Sequence, residues 1–346
     1  MTGLALVLDG LLAVLILGLA LWVLVTATPF RAALGFTLFG LLAALIWVRL
    51  AATDVALTAA ALSGGLTGLL FLGAAKRLPR DARTARPSRG IRLLVGLVSI
   101  LVTLGISLLV VDATQAPASS LAPLVTEHLA ATGLGNPVTG VLLGFRALDS
   151  LTEGLILVMV VVGLWSLTPD PGWGGRPTLP RLAHLPPGFR RLGQVLLPGG
   201  LLVGLYLAWT GSHHPGGPFQ GGAVLAATWL LAMIAGLTRP PAVSSRALRW
   251  LLITGPLVFI LVGFASNWLD MGFLADPEGW ARYSLLVVKA GLTLSIAIAL
   301  GLLLVSPAAS DAASDAASTT RSDAASATGS DAGSATGSDA VSERGP

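Results

Sequence analysis

Two carboxylates four residues apart, with an arginine just ahead of them, stand at the edge of an apolar run in this sequence. In FRALDSLTEG, Asp149 and Glu153 are spaced i, i+4 and Arg146 precedes Asp149 by three. On one continuous helix all three would share a face. Glu153 would lie about one turn into the apolar run, partly out of water, where a carboxyl group can take up and release a proton near neutral pH. The same residues have a structural reading. Ser150 with Glu153 fits an S-x-x-E capping box, and Arg146 with Asp149 fits a boundary ion pair.

Few other ionisable groups interrupt the apolar runs, and such groups need a partner or water. Lys289, between Val288 and Ala290, lies well inside the last run. It calls for a carboxylate partner, a water channel, a partner subunit, or snorkelling toward a face. Asp54 in ATDVALT is an N-cap or first-turn acid, with an ion-path role as the alternative. Asp9 and Asp270 are the other acids that the apolar runs place in question. The run TGSHHPGGPFQGG brings together His213, His214, Pro215, Gly216, Gly217, Phe219, Gln220, Gly221 and Gly222 around Pro218. It cannot be helical throughout, so near membrane depth it must pack into a neighbour or line a polar cavity. Adjacent histidines diverge on a helix and have no i, i+4 histidine partner, so no metal site is expected from this pair. The glycines of SGGLTG (Gly64, Gly65, Gly68) allow close helix approach or a π-type distortion.

The elements that must carry these residues are legible from composition. Of 346 residues 54% are hydrophobic and 11% charged, and mean hydropathy is +0.82. A soluble domain carries about 25% charged residues. The expected fold class is therefore an all-α polytopic membrane protein of about nine transmembrane helices, at 4–25, 32–50, 55–75, 91–111, 151–168, 194–210, 219–238, 250–269 and 283–305. Placing the basic loop from Lys76 to Arg92 in the cytoplasm sorts the remaining charges. Arg31, Arg176, Arg181, Arg190, Arg191, Arg239, Arg246 and Arg249 then fall on the same side, and only Arg49, Arg146 and Arg282 on the other. The N-terminus is expected outside and the C-terminus inside. Asp9, with no basic n-region, makes the first run a retained span rather than a signal peptide. Ser119 to Ala131 can form an amphipathic surface helix. From residue 306 the chain becomes Ala, Ser, Asp, Thr and Gly in imperfect repeats, a composition expected to remain disordered.

These features also exclude function classes. The net charge of +4 comes from loop arginines without aromatic interleaving, so nucleic acid is not an expected partner. There is no cysteine, which removes disulfides, iron–sulfur ligation and thiol catalysis. No GxxxxGK[ST], HExxH or loop-borne Ser-His-Asp set is present. The chain does not read as an enzyme, and no cofactor is expected.

Three stretches carry a resemblance. TDVALTAAALSGGLTGLLFL resembles the MbhD-like (DUF4040) segment near the end of the large A subunit of multisubunit Na+/H+ antiporters, the Mrp or Mnh type. NPVTGVLLGFRALDSLTEGLIL is similar to the MbhE-like segment that follows it, and SHHPGGPFQGG resembles the PGGGFQGG signature of MnhB, the B protein of the same antiporters. The resemblance implies a fusion of an A-subunit tail with an MnhB-like protein. It divides the chain into an MbhD-like three-helix segment (1–75), an MbhE-like two-helix segment with an external loop (76–168), a linker (169–189), an MnhB-like four-helix domain (190–305) and the tail (306–346). It departs from the family pattern at Ala59, where a glutamate is common, and at Ser212 and Pro218.

The resemblance further implies an accessory subunit of a multi-pass complex in the bacterial inner (cytoplasmic) membrane. The complex would exchange Na+ for H+, with the other antiporter subunits and the lipid bilayer as partners. Asp149, Glu153, Lys289, Arg146 and Asp54 become ion-path candidates. The rival readings are a membrane-arm subunit of a complex I-related or hydrogenase-type oxidoreductase, and a scaffold without its own ion path.

Overall fold

Apolar runs of about 20 residues leave a backbone in lipid one local solution, the helix, because only there are all its amides and carbonyls paired within the segment. The computed structural model describes residues 2–77, 88–115, 120–167, 187–242, 244–269, 272–274 and 280–305, and among them all regular structure is helical. The expectations for the tip of the basic loop, most of the linker, Asp270 and the tail fall outside the described residues.

The chain opens with α1 (Thr2–Val25) and α2 (Pro29–Arg49), separated by a short turn that Pro29 ends by starting α2. The third span is composite: α3 (Thr53–Ala59), a π-helical segment (Ala60–Thr67) and α4 (Gly68–Arg77). This distortion coincides with SGGLTG. Gly40 of α2 lies directly against Ser63, so any side chain there would collide with it. α5 (Arg89–Gln115) is the next long apolar helix, and none of its span is buried within the chain. A short α6 (Ala122–His128) and a 3-10 turn (Leu129–Thr132) follow, where the sequence predicted a surface helix.

The second half is built around α12 (Ala281–Leu304), half of whose 24 residues are buried. It packs against α8 (Ala147–Ser166), α10 (Pro218–Ile234) and α11 (Arg246–Trp268), while α9 (Pro187–Thr210) packs on α10. Phe259, Val288, Leu292, Ile296 and Leu300 form the core, with Leu143, Ala147 and Leu151 closing it from the α8 side. Lipid tails are as apolar as leucine, so close backbone approach rather than water exclusion must hold such helices together. Gly204 and Gly221 provide it at the α9–α10 contact, where a Cβ on Gly221 would meet the Gly204 carbonyl. The N-terminal unit joins this body through α3 and the π-helical segment, both of which touch α10.

Eight helices are long and apolar enough to cross a membrane, among the described residues. The protein is a polytopic, multi-pass membrane protein. The expected seventh span, 219–238, differs: α10 has 17 residues, about 25 Å of helix against a hydrocarbon core of about 30 Å. It begins where expected and stops at Ile234, where the chain turns through Gly236 at φ 68°.

Candidate functional site

The TGSHHPGGP run connects α9 to α10, and its backbone is turned by two glycines. Gly216 and Gly217 have φ of 141° and 152°, a region that side chains strongly disfavour. The Gly217 amide donates back to the Leu207 carbonyl at 3.0 Å, and the amides of His213 and His214 both donate to Thr210 O at 2.9 Å. This folds the loop against the end of α9. The Gly211, Ser212 and His214 carbonyls, the Ser212 hydroxyl and the Gly216 amide are taken up by three other parts of the chain, while the His213 and His214 side chains are exposed.

Asp54 provides the first hold. It lies in the first turn of α3, as expected, but it does not cap that helix: the N-cap is Ala52, with no side-chain hydrogen bond. Instead its carboxylate, 8% exposed, accepts from the Gly216 amide at 2.9 Å and from Asn136 Nδ2 at 3.4 Å. The Gln220 side chain reaches the same turn, donating to Thr58 Oγ1 at 2.9 Å and to Asp54 O at 3.3 Å.

Asn136 and its neighbours provide the second. Asn136 caps α7 (Pro137–Thr139) by accepting from the Val138 amide at 3.0 Å, which leaves its Nδ2 free to donate to His214 O, also at 3.0 Å. The Gly135 and Asn136 amides both donate to Ser212 O, and Thr139 Oγ1 donates to Gly211 O at 2.5 Å. Sequence reasoning missed Asn136. The signal was the Asn-Pro pair, an N-cap followed by proline at N1, but nothing local said that its amide would reach the loop.

Lys289 provides the third. It is buried at 2% exposure, and among the described residues its ammonium pairs with no carboxylate. The ammonium donates to Ser212 Oγ at 2.6 Å and to Trp209 O at 3.4 Å. Trp209 lies in the last turn of α9, where carbonyls without helical partners and the negative end of the helix dipole favour a cation.

The Arg146, Asp149 and Glu153 group is also rearranged. A π-helical segment (Gly140–Phe145) precedes Arg146, whose φ and ψ of −128° and 44° break the helix before α8 begins. The three residues therefore do not share one continuous helix. Arg146 still pairs with Asp149, Nε to Oδ2 at 2.8 Å, between exposed side chains. The capping box does not form: Ser150 lies inside α8 and donates its hydroxyl to Leu142 O at 2.8 Å. Asp9, the other charge in an early span, pairs with Arg49 at 2.7 Å, which ties α1 to the end of α2.

Glu153 and Asp54 line the same cavity, of about 250 Å³, between α3, α8 and the start of α10. Gly216, Gly217 and Gln220 form another wall, and Leu292 and Ile296 close it from α12. Lys289 and Asp149 are not among its walls. The loop is thus bonded by the Lys289 ammonium and also forms a wall of a cavity lined by two carboxylates.

Comparison with known proteins places both halves of this arrangement. Residues 14–80 match the MbhD family, the D component of MBH, and residues 189–306 match a family described as a domain related to the MnhB subunit of Na+/H+ antiporter. The chain thus joins an MbhD-family segment to an MnhB-related domain in one fusion. Over 128 residues, 37% of its length, the fusion is 27% identical to the protein named "Putative antiporter subunit mnhA2" in Staphylococcus aureus strains JH9 and USA300. That stretch is 16% of the relative, so the fusion spans about one sixth of the curated proteins it matches. Its fold matches a chain in the structure of the Mrp complex from Dietzia sp. DQ12-45-1b with a TM-score of 0.71, at 22% identity, over 87% of the fusion and 35% of that chain. Asp54 lies in the MbhD segment and the clasped loop and Lys289 in the MnhB-related domain. Asn136, Thr139 and Glu153 lie between the two matched regions.

Proposed function

We propose that the fusion is an accessory subunit of a multisubunit monovalent cation (Na+)/proton antiporter in the bacterial inner membrane, contributing both to assembly and to a hydrated ion path. One observation carries the reading: the loop of the MnhB-related domain is clasped by Asp54 of the MbhD segment and by Asn136 and Thr139 of the intervening stretch, beside a cavity that Glu153 also lines. The intervening stretch acts as the MbhE-like segment, within boundaries of 76–168, and the MbhD and MnhB parts extend over 1–75 and 190–305. Glu153 exchanges a proton with the cavity, the Arg146–Asp149 pair tunes it from the rim, and Lys289 holds the loop. Ionisable groups at membrane depth belong by default to such paths. The chain itself catalyses no reaction and works with the large antiporter subunits.

The test is Glu153→Gln in the assembled complex, in sealed vesicles. Cation/proton exchange is expected to be lost while the complex still assembles. Undiminished exchange would take Glu153 out of the path.

A second reading follows from the MbhD match over residues 14–80: a membrane-arm subunit of a hydrogenase-type complex. Purification of the tagged chain in mild detergent separates the two. Large antiporter subunits alone at stoichiometric levels favour antiport, and co-purifying redox subunits favour the oxidoreductase.

A further inference from the structure

We infer that the cavity between α3, α8 and the start of α10 is a binding seat for one partly hydrated monovalent cation, with the Asp54 and Glu153 carboxylates as its charged ligands. This gives the ion-path reading a location, and rests on that reading only for the choice of Na+ as the first ion to try.

The charge balance comes first. Asp54 is 8% exposed and takes part in no ion pair among the described residues. A buried carboxylate without a counter-charge is costly, and its hydrogen bonds from Gly216 and Asn136 offset only part of that. Glu153 brings a second carboxylate to the same cavity; no Lys, Arg or His lines it, and the buried cation on the adjoining loop, Lys289, is bonded to Ser212 Oγ and Trp209 O. The N-terminal end of α10 also forms part of the wall, and a helix N-terminus contributes roughly half a positive charge. With both carboxylates ionised the walls carry roughly one to two negative charges on that basis, and counting the buried Lys289 ammonium on the adjoining loop still leaves about half a negative charge.

The neutral groups point to the same kind of ligand. Each hydroxyl in the wall has already given its hydrogen to a backbone carbonyl: Thr58 to Asp54 O, Thr139 to Gly211 O and Ser150 to Leu142 O. Gln220 directs its amide hydrogens at Thr58 Oγ1 and Asp54 O, leaving its oxygen as the unspent group. A hydroxyl has one hydrogen and two lone pairs, so the side chains offer the cavity acceptors and almost no donors. Hard cations take oxygen ligands of this kind, while an anion would find no side-chain donor. A volume of about 250 Å³ holds an ion with several of its waters. A divalent ion would call for more carboxylates around it, as in calcium sites with their six to eight oxygens, several of them charged.

The experiment uses the purified full chain in detergent, followed by the intrinsic fluorescence of its nine tryptophans on heating. NaCl is titrated against choline chloride at constant ionic strength. A ligand that binds only the native state raises its unfolding temperature saturably, and Na+ is expected to do so where choline does not. Glu153→Gln should raise the half-saturating Na+ concentration by about tenfold or more, the effect of losing one charged ligand. Asp54→Asn should do the same. If that variant fails to fold because the loop is released, Glu153→Gln still decides, since Glu153 does not hold the loop. Glu127→Gln, on the exposed α6, should leave the titration unchanged.

The seat is refuted by equal responses to Na+ and choline, by an unchanged titration in Glu153→Gln, or by a response to Ca2+ or Mg2+ with none to Na+, K+ or Li+. Its failure and that of the antiport reading are separable. Saturable Na+ binding in a complex that exchanges no ions keeps the seat and removes antiport. Exchange by a complex whose chain shows no Na+ response does the reverse.

Discussion

Lys289 stands out in the sequence as a cation in an apolar run, yet its partners could not be read there. Ser212 and Trp209 lie 77 and 80 residues away, and neither is a carboxylate. The ammonium is held by a hydroxyl and by the carbonyl end of a helix, which together replace much of its lost hydration. Truncation should therefore be expensive: Lys289→Ala is expected to lower stability by about 1.5–3 kcal/mol, the range for hydrogen bonds to charged groups. Thermal unfolding of the purified chain would measure it, and Lys289→Met, which keeps the packing but not the bonds, should fall between the two. Asp54 shows the same division. Its type and first-turn position were legible, but the sequence favours a local cap for such an acid, whereas its main partner is the Gly216 amide 162 residues away.

Elements were legible where the signal is local. Each expected run contains a helix among the described residues, although the seventh stops at Ile234, and the π-helical segment at Ala60–Thr67 coincides with glycines already marked as permitting it. The second π-helical segment, Gly140–Phe145, carried no comparable mark, and it detaches Arg146 from α8. The loop before α10 was recognisable as non-helical from its prolines and glycines, but not as the point where three parts of the chain meet. Its backbone now makes a sharp prediction. Gly216→Ala sets a side chain at φ 141° and brings its Cβ within 2.6 Å of the Leu207 carbonyl, so the loop must open. Gly199→Ala, in α9 with open space around it, should be neutral or stabilising by about 0.5–1 kcal/mol. Gly216→Ala is expected to lower the unfolding temperature and broaden the size-exclusion profile, and Gly199→Ala to leave the profile unchanged with an equal or higher unfolding temperature.

At the scale of the whole molecule, the packing is uneven. The helices around α12 bury one another, whereas α5 has no buried residue in its span and the α1 span is equally exposed. Within the proposed complex, α5 is where another subunit should pack. The chain has no cysteine, so Leu101→Cys, on the exposed middle of α5, provides a single reactive site. It is expected to cross-link to a neighbouring subunit in native membranes and to nothing in the purified chain. Cross-linking to none of the co-purifying subunits would leave α5 facing lipid.

The sequence by itself determined the class of this protein, the positions of its helices and the place where the helical pattern fails. Hydropathy is a property of each segment alone, and in lipid the backbone must satisfy itself within the segment. Tertiary structure decided which polar residues meet. Asp54, Asn136 and the glycine loop come from three regions separated by 82 and 78 residues. Their pairing depends on how α3 and α10 approach each other, which no local pattern encodes. The same packing set Glu153 and Asp54 on one cavity and brought Lys289 to the loop.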